Sequence, residues 1–563
     1  RLKSGAASGF VLPGDSTSAV VTSALPYANG EIHLGHIAST YLPADIFTRY
    51  SRLKGREIYH ICASDDFGTP ILIKAEKEGK TPAEYVKYWN GRDKDDFAAL
   101  GISFDLFYRT SSPENVSFVQ EVFQKLQRNG HIYEKSVIQF YCTFDDKFLP
   151  DRYVIGRCPF CGAENQYSDL CEKCGRVPDE ILDPKCAICG RPPVKRESKH
   201  YFFRLSSFGR QLKDWLVSNQ NLQADVRNYV VNWIDEGLQD WDITRDLSWG
   251  VPIPLPEASG KVFYGWFDNH LCYISTLAKL VADRGGDGKK FWNESQIYHY
   301  IGKDIVYHHY LFLPAMRLGI DSEYRLPDFI PTRGHLMLQN QKISKSRNWY
   351  IGLRDFLSSF SPDYLRFYIA SVITYSQDDL NFDFDSFQEK INNELIANVG
   401  NFVNRALSFT QKSFSGRVPE PSGPDIASEI KAEAASAVEQ AGGLLAANEI
   451  DRALKRILKY STAMNQYFQA SAPWANKDAA PDTLFVSVNA VRTLAILLEP
   501  YIPLSCERIW TQLNLQGSVH SQKWETAPER AVPHGHQLGR IEPIFRKIEA
   551  KEIEQWKEKL GSK

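Results

Sequence analysis

Six of the ten cysteines form three C-x-x-C pairs, Cys158/Cys161, Cys171/Cys174 and Cys186/Cys189, all between residues 158 and 189. Clustering of this kind is what metal thiolates look like in a reducing compartment, whereas a disulfide framework spreads its cysteines over a small secreted domain. The first two pairs, separated by nine residues, have the spacing of a tetrathiolate zinc knuckle. A closed Cys₄ set implies a structural ion and not a catalytic one. A knuckle this small cannot organise 563 residues, so it must be embedded in a larger fold of about three to five domains.

The remaining sequence is that of a globular protein with ample core: 43% apolar and 24% charged residues. Lys and Arg number 66 against 68 Asp and Glu, so a nucleic-acid surface would have to be a local patch. No DNA partner is expected. No run of about 18 apolar residues is apparent, and no membrane span is expected. The Ser/Gly-rich start at Arg1 precedes no apolar h-region, so no signal peptide is read, and a cytoplasmic location follows.

The β-branched run Val20-Val21-Thr22 leads through Pro26-Tyr27-Ala28-Asn29-Gly30 into an apolar-periodic segment from about Ile37 to Leu53, which predicts strand, glycine turn and helix. Ile58 to Cys62 is the next strand, ending at Ser64-Asp65-Asp66, so the first hundred residues form a βαβ unit with its ligand at the strands' carboxyl ends. Residues 131 to 200 change to short runs rich in Gly, Pro and Cys, an insertion that splits this α/β domain. After about Asp385 the pattern is helical. Ser386-x-x-Glu389 reads as a capping box, followed by Ile391, Leu395, Val399, Phe402 and Ala406. A second helix carries Ile450 to Met464 and stops at Pro473, Pro419 to Pro424 reads as a loop, and the Lys/Glu-rich end from Arg546 as a solvated helix or tail.

His33-Leu34-Gly35-His36 falls where the first turn enters its helix, a place that favours anions. Two imidazoles there, with Gly35 keeping the backbone open, suit donation to a triphosphate. About 300 residues on, Lys342-Ile343-Ser344-Lys345-Ser346 offers two mobile point charges to phosphate. Together these resemble the signature pair of class I aminoacyl-tRNA synthetases. Ala24 to Gly30, Phe144 to Asp151, Gly302 to Tyr307 and Ala472-Pro473-Trp474 narrow the resemblance to the methionyl-tRNA synthetase family, from about Thr17 to about Glu549.

That resemblance implies a Rossmann-type parallel-sheet catalytic domain split by a zinc-knuckle insertion and followed by an α-helical anticodon-binding bundle. The expected boundaries are an extension at 1–16, catalytic halves at 17–115 and 259–335 around an insertion at 116–258, a connector with the KMSKS-like loop at 336–385, an anticodon-binding domain at 386–540 and a tail at 541–563. The insertion is too short for the editing domain of the leucyl, isoleucyl and valyl relatives. The implied substrates are methionine, ATP with Mg²⁺, and tRNA(Met). His33, His36, Lys342 and Lys345 are the implied catalytic residues, with Gly35, Gly302 and Asp304 also facing ATP. Ala24, Leu25, Tyr27, Asp65, Trp266, Tyr273, Ile305 and His309 correspond to the methionine site, alignment alone choosing His309 over His308. Asn401, Arg405 and Trp474 correspond to anticodon readers, Trp stacking on an unpaired base while Asn and Arg read its edges.

Departures from the family lie in the pocket. Asn269-His270 stands where Ala-Pro is usual, and Leu313 where an aromatic is common. Cys186 and Cys189 are left over once the first knuckle closes. In two-zinc family members the last pair is joined by an earlier C-x-x-C, a position that here reads Cys142-Thr143-Phe144-Asp145. A second zinc on Cys142, Asp145, Cys186 and Cys189 is therefore expected, with Asp146 as an alternative ligand and a relic pair of buried thiols as the alternative to any metal.

Overall fold

A computed structural model describes residues 18–168, 171, 173–174, 176, 180–345, 347–423 and 426–561. The expected extension at 1–16, Ser346 of the lysine loop and Pro424 lie outside the described residues. Strands β1 (Ser18–Ser23), β2 (Glu57–Ser64), β3 (Leu106–Arg109), β4 (Gln296–Gly302) and β5 (Thr332–Arg333) form one parallel sheet in the order β5-β4-β1-β2-β3. The chain leaves β1 toward β2 and β3, then returns on the other side with β4. This reversal opens a crevice outside the carboxyl ends of β1 and β4. The Val20–Thr22 run is fully buried in β1, with Val20 paired to Ile297 and Tyr59.

The helix after β1 starts earlier than the periodicity indicates. His33 is its N-cap, and it runs from Leu34–His36 through a π-turn, Ile37–Tyr41, into Leu42–Leu53. On the sheet's other part lies the long helix Gly265–Asp283, whose Phe267 and Leu271 share a core with Val119 and Phe123 of helix Pro113–Arg128.

The cysteine region rises on a long antiparallel ribbon, Ile132–Cys142 against Val194–Phe203, in continuous register from Ile132↔Phe203 to Tyr141↔Val194. This is longer than the short runs expected there. Its middle residues, such as Glu134, Lys135 and Ser136, are exposed, so no apolar alternation marks it.

The connector pairs Leu336–Leu338 with Gln341–Lys342 across Gln339 and Asn340, both at positive φ (49° and 60°), and with Leu380–Phe382 in parallel. Ser344 and Trp349 then exchange main-chain hydrogen bonds of 2.9 Å, closing the loop that carries Lys345.

In the helical region the expected capping box is corrected. Asp383 is the N-cap of Phe384–Glu389, accepting the Ser386 N–H at 2.8 Å, so Ser386 lies inside the first turn. An Asp one turn earlier competes for the same donor and wins it. Ile391, Leu395, Val399, Phe402 and Ala406 are buried as expected, and Ile450–Ser471 ends at Ala472 in the left-handed conformation just before Pro473. One further finding concerns the core of the bundle and one correction the tail. Helix Ala480–Leu498 is long and apolar enough to cross a membrane, but 89% of its apolar window is packed inside the bundle. The Lys/Glu-rich end forms Ala550–Lys559, and instead of being solvated all round it buries Ile553 and Trp556, the latter beside Phe356, Phe360 and Phe384.

Candidate active site

At the head of the first helix the His33 Nδ1 accepts the Gly35 N–H at 3.2 Å, and the His36 Nδ1 accepts the His33 N–H at 3.1 Å. A ring nitrogen that accepts carries no proton, so each neutral imidazole bears its hydrogen on Nε2. The rings stack at 3.7 Å. Burial, then the Lys345 charge, pushes His33 down to about 3. Burial, His33 and Lys345 hold His36 well below the ordinary imidazole range. The pair therefore presents two Nε2–H donors, fixed by main-chain amides, at neutral pH.

The lysine loop closes over them. A Cβ at Gly35 would lie 2.8 Å from Ile343 Cδ1 and 3.0 Å from the His33 ring, so the two sequence-distant motifs meet only because residue 35 is glycine. A cavity of about 640 Å³ opens here, lined among others by His33, His36, Lys303, His335, Lys342 and Lys345. The Lys345 Nζ donates to the Glu31 carbonyl at 3.0 Å. Gly302, at the end of β4, leaves room for the Asp304 Oδ1, which would lie 2.6 Å from a Cβ there. Asp304 is exposed and 3.8 Å from His335 Nε2, and Lys303 pairs with Asp379 at 2.7 Å. Lys303 lies inside the Gly302 to Tyr307 motif, which assigns it no role, and His335 carries no local signal in the sequence. Their part in the cavity comes from the sheet and connector.

The second wall of the crevice is carboxylate and aromatic. Main-chain bonds from Ala28 N to Asp65 O and from Asp65 N to Pro26 O, 2.9 and 2.7 Å, set Tyr27 beside Asp65. The buried Asp65 carboxylate accepts the Asn269 Nδ2–H at 2.8 Å and the Phe67 N–H at 3.4 Å. Burial nevertheless dominates and raises Asp65 to about 7. Burial, and after it Asp65, raise the buried Asp268 well above the ordinary carboxylate range. The His309 Nδ1–H donates to Ile305 O at 3.1 Å, which leaves Nε2 to accept the Tyr273 hydroxyl at 3.0 Å. His308 stacks on Trp266 at 3.9 Å, so both histidines belong to the cluster in different roles. Ala24 accepts the Tyr41 hydroxyl at 2.8 Å, and Leu25 packs with Tyr273 and the fully buried Leu313. Asn269 and His270, visible in the sequence only as a departure, stand inside this wall.

The cysteines gather into two four-ligand sets. In each, the ligand atoms lie within 4.8 Å of one another: Cys158, Cys161, Cys171 and Cys174; and Cys142, Asp145, Cys186 and Cys189. Sulfur separations of 3.8 Å (Cys158–Cys174) and 3.6 Å (Cys161–Cys171) match the edge of a tetrahedron with zinc–sulfur bonds of about 2.3 Å, roughly 3.8 Å. In the second set the Asp145 Oδ2 lies 3.0 Å from Cys142 Sγ and 3.2 Å from Cys186 Sγ. Asp146, the alternative ligand, turns away with φ 50° and accepts the Tyr141 hydroxyl.

In the helical region Asn401 and Arg405 line a groove of about 760 Å³ with Asn398, Asn465, Gln466 and Gln469. The Arg405 guanidinium lies 4.7 Å over Phe468 and 5.3 Å over Trp474, and donates to Gln469 Oε1 at 3.2 Å. Trp474 is 43% exposed, which leaves its ring open for stacking. Gln469 was not anticipated from sequence.

Residues 19–407 match the family described as tRNA synthetases class I (M), and residues 419–563 the anticodon binding domain of methionyl tRNA ligase. The chain is 42% identical over 551 residues to the methionine–tRNA ligase of Methanopyrus kandleri, covering 96% of this chain and 81% of that protein. It is 41% identical to the methionine–tRNA ligase of Thermococcus onnurineus, covering 95% and 75% respectively. In fold it is similar to Mycobacterium tuberculosis methionyl-tRNA synthetase bound by methionyl-adenylate, with a TM-score of 0.78 at 23% identity over 94% of this chain and 100% of that one.

Proposed function

The chain belongs to the class I methionyl-tRNA synthetases, methionine–tRNA ligases, and from that premise we propose that the crevice at the ends of β1 and β4 carries both half-reactions, with the residues named below in their roles. The observation that carries this reading is the convergence of two amide-fixed Nε2–H donors and Lys345 on one cavity. In the first step the methionine carboxylate, already ionised, attacks the ATP α-phosphorus. A new P–O bond forms as the bond to pyrophosphate breaks. No base is needed, and catalysis is positioning plus neutralisation of phosphate charge. His33 and His36 donate to phosphate oxygens, Lys345 follows the leaving group with Lys342 beside it, and Mg²⁺ arrives with ATP. Gly302 and Asp304 face the adenosine. Asp65 pairs with the substrate ammonium, and Trp266, Tyr273, Ile305 and His309 enclose the thioether, a polarizable group suited to aromatic edges. The adenylate then passes its acyl group to a ribose hydroxyl of the 3′-terminal adenosine of tRNA(Met), and AMP leaves. Pyrophosphate exchange with each of the twenty amino acids tests the assignment. Methionine alone should support rapid exchange, and equal exchange with leucine would overturn it.

For the helical groove, Trp474→Ala is expected to lower kcat/KM for tRNA aminoacylation by about 5- to 150-fold, the value of one stacked base at about 1–3 kcal/mol, while methionine-dependent pyrophosphate exchange stays unchanged. Parallel loss in both assays would make Trp474 a packing residue.

The donor chemistry of both cysteine sets fits zinc. Cys158, Cys161, Cys171 and Cys174 would hold one ion and Cys142, Asp145, Cys186 and Cys189 a second, each shaping the insertion and neither touching substrate. A reducing, cytoplasmic setting suits these thiolates. Elemental analysis is expected to give two zincs per chain, the Asp-ligated ion leaving first to a mild chelator because a carboxylate is the weaker partner here, and Asp145→Cys retaining it longer. One zinc per chain, unchanged when Cys186 and Cys189 are both Ser, would refute the second site.

A further inference from the structure

His270 occupies the helix Gly265–Asp283 in the amino-acid wall, fully buried, and neither of its ring nitrogens has a hydrogen-bond partner among the described residues. Its ring centroid lies 5.5 Å from Trp266, 5.5 Å from His308 and 5.0 Å from His309. Two neighbouring imidazoles are anchored, His309 by Tyr273 and the Ile305 carbonyl and His299 by the Thr22 hydroxyl at 2.5 Å and Arg317 at 3.3 Å, whereas His308, stacked on Trp266, leaves one nitrogen, Nδ1, unpaired among the described residues and His270 leaves both. A buried polar atom left unpaired costs free energy that a phenyl or prolyl ring at the same place would not. Burial and the flanking His309 and His308 keep the ring neutral, so one nitrogen bears an N–H and the other a lone pair.

We infer that His270 is a specificity residue that donates its ring N–H to the sulfur of the bound amino acid. This rests on the reading that the methionine side chain lies among Trp266, Tyr273 and His309. Hydrophobic walls distinguish methionine from its straight-chain carbon isostere poorly, because norleucine has almost the same length and shape. A thioether accepts a hydrogen bond, weakly, and a methylene does not. In a buried site that difference counts, since the unpaired N–H remains unpaired when norleucine binds. Asn269, the neighbouring departure, serves the other end of the substrate through Asp65 and leaves the sulfur end to His270.

The test is the ratio of kcat/KM for methionine to that for norleucine in pyrophosphate exchange, in the unsubstituted chain and in the variants His270→Phe and His270→Gln. His270→Phe should lower the ratio about five-fold, the worth of one neutral hydrogen bond, by losing methionine turnover while norleucine turnover holds. His270→Gln, which keeps an N–H near the ring Nε2 position, should recover most of it. A ratio unchanged in His270→Phe, whatever the absolute rates, would overturn the inference and assign His270 to packing. Absence of methionine-dependent exchange in the unsubstituted chain would instead strike the underlying functional reading. Ring-¹⁵N-histidine spectra of the unsubstituted protein give the same answer without a substitution in the core: methionine, and not norleucine, should shift one imidazole pair that is missing from His270→Gln. Equal shifts with both ligands count against the hydrogen bond.

Discussion

Replacing Lys345 by Ala is expected to lower kcat for methionine-dependent pyrophosphate exchange by about 10²–10³-fold, the range for losing one preorganised donor to a developing negative charge. The methionine dissociation constant should change less than about twofold, because in the proposed role the ammonium serves the phosphates and not the amino acid. In the structure its Nζ donates to the Glu31 main-chain oxygen at 3.0 Å, a neutral acceptor that a phosphate oxygen outcompetes, and a Cβ at Gly30 would sit 3.1 Å from it. Lys345 therefore has room to follow the leaving pyrophosphate. Lys345→Arg should recover activity only in part, since the planar guanidinium must fit the same narrow space above Gly30. His33 offers an internal control. Burial is the first cause of its low pKa and Lys345 the second, so the imidazole stays neutral at pH 7 in the Ala variant and keeps donating. Equal losses of methionine affinity and turnover would show that Lys345 shapes the amino-acid site instead.

How far the sequence carries this picture depends on where each signal is encoded. The β1 strand and its helix are legible because Val20, Val21 and Thr22 are buried on both faces and because the histidine cap is local to one turn. The first cysteine set is legible for the same reason: its spacing places four thiols together with little help from the rest of the chain. The ribbon Ile132–Cys142/Val194–Phe203 escapes notice because its central pairs, among them Lys135↔His200 and Ser136↔Lys199, are held by main-chain bonds across more than sixty residues and carry no apolar alternation. Trp556 escapes for a different reason. One aromatic in a Lys/Glu-rich run looks solvated until Phe356, Phe360 and Phe384 are brought against it. Lys303 and His335 enter the cavity beside His33 and Lys345 through β4 and the connector hairpin, so no reading of neighbours along the chain could pair them. Asn269 is intermediate. It reads as a defect in a motif, and only the distance to Asp65 turns it into a hydrogen-bond donor.

That contact governs the second large effect, on Asp65→Asn, which is expected to weaken methionine binding by about 30- to 5,000-fold, the cost of about 2–5 kcal/mol for truncating one side of a buried charge pair. The substitution removes more than a charge. The Asn269 Nδ2–H donates to the Asp65 Oδ2 at 2.8 Å, so an amide at residue 65 must turn its oxygen toward Asn269 and its NH₂ toward the substrate ammonium, setting donor against cation. The same burial makes binding by the parent chain pH-dependent. Asp65, raised to about 7, is largely protonated below that pH in the free protein and must release its proton to pair with the ammonium. Methionine affinity should therefore fall about tenfold for each pH unit below 7, level off above it, and be accompanied by proton release at pH 6. Isothermal titration of methionine between pH 5.5 and 8 in two buffers of different ionisation heat measures both the affinity and the protons released. Asp65→Asn should give a flat profile across that window. If the parent profile is itself flat, or if the Asn variant keeps the parent's slope, the ammonium is held by another group.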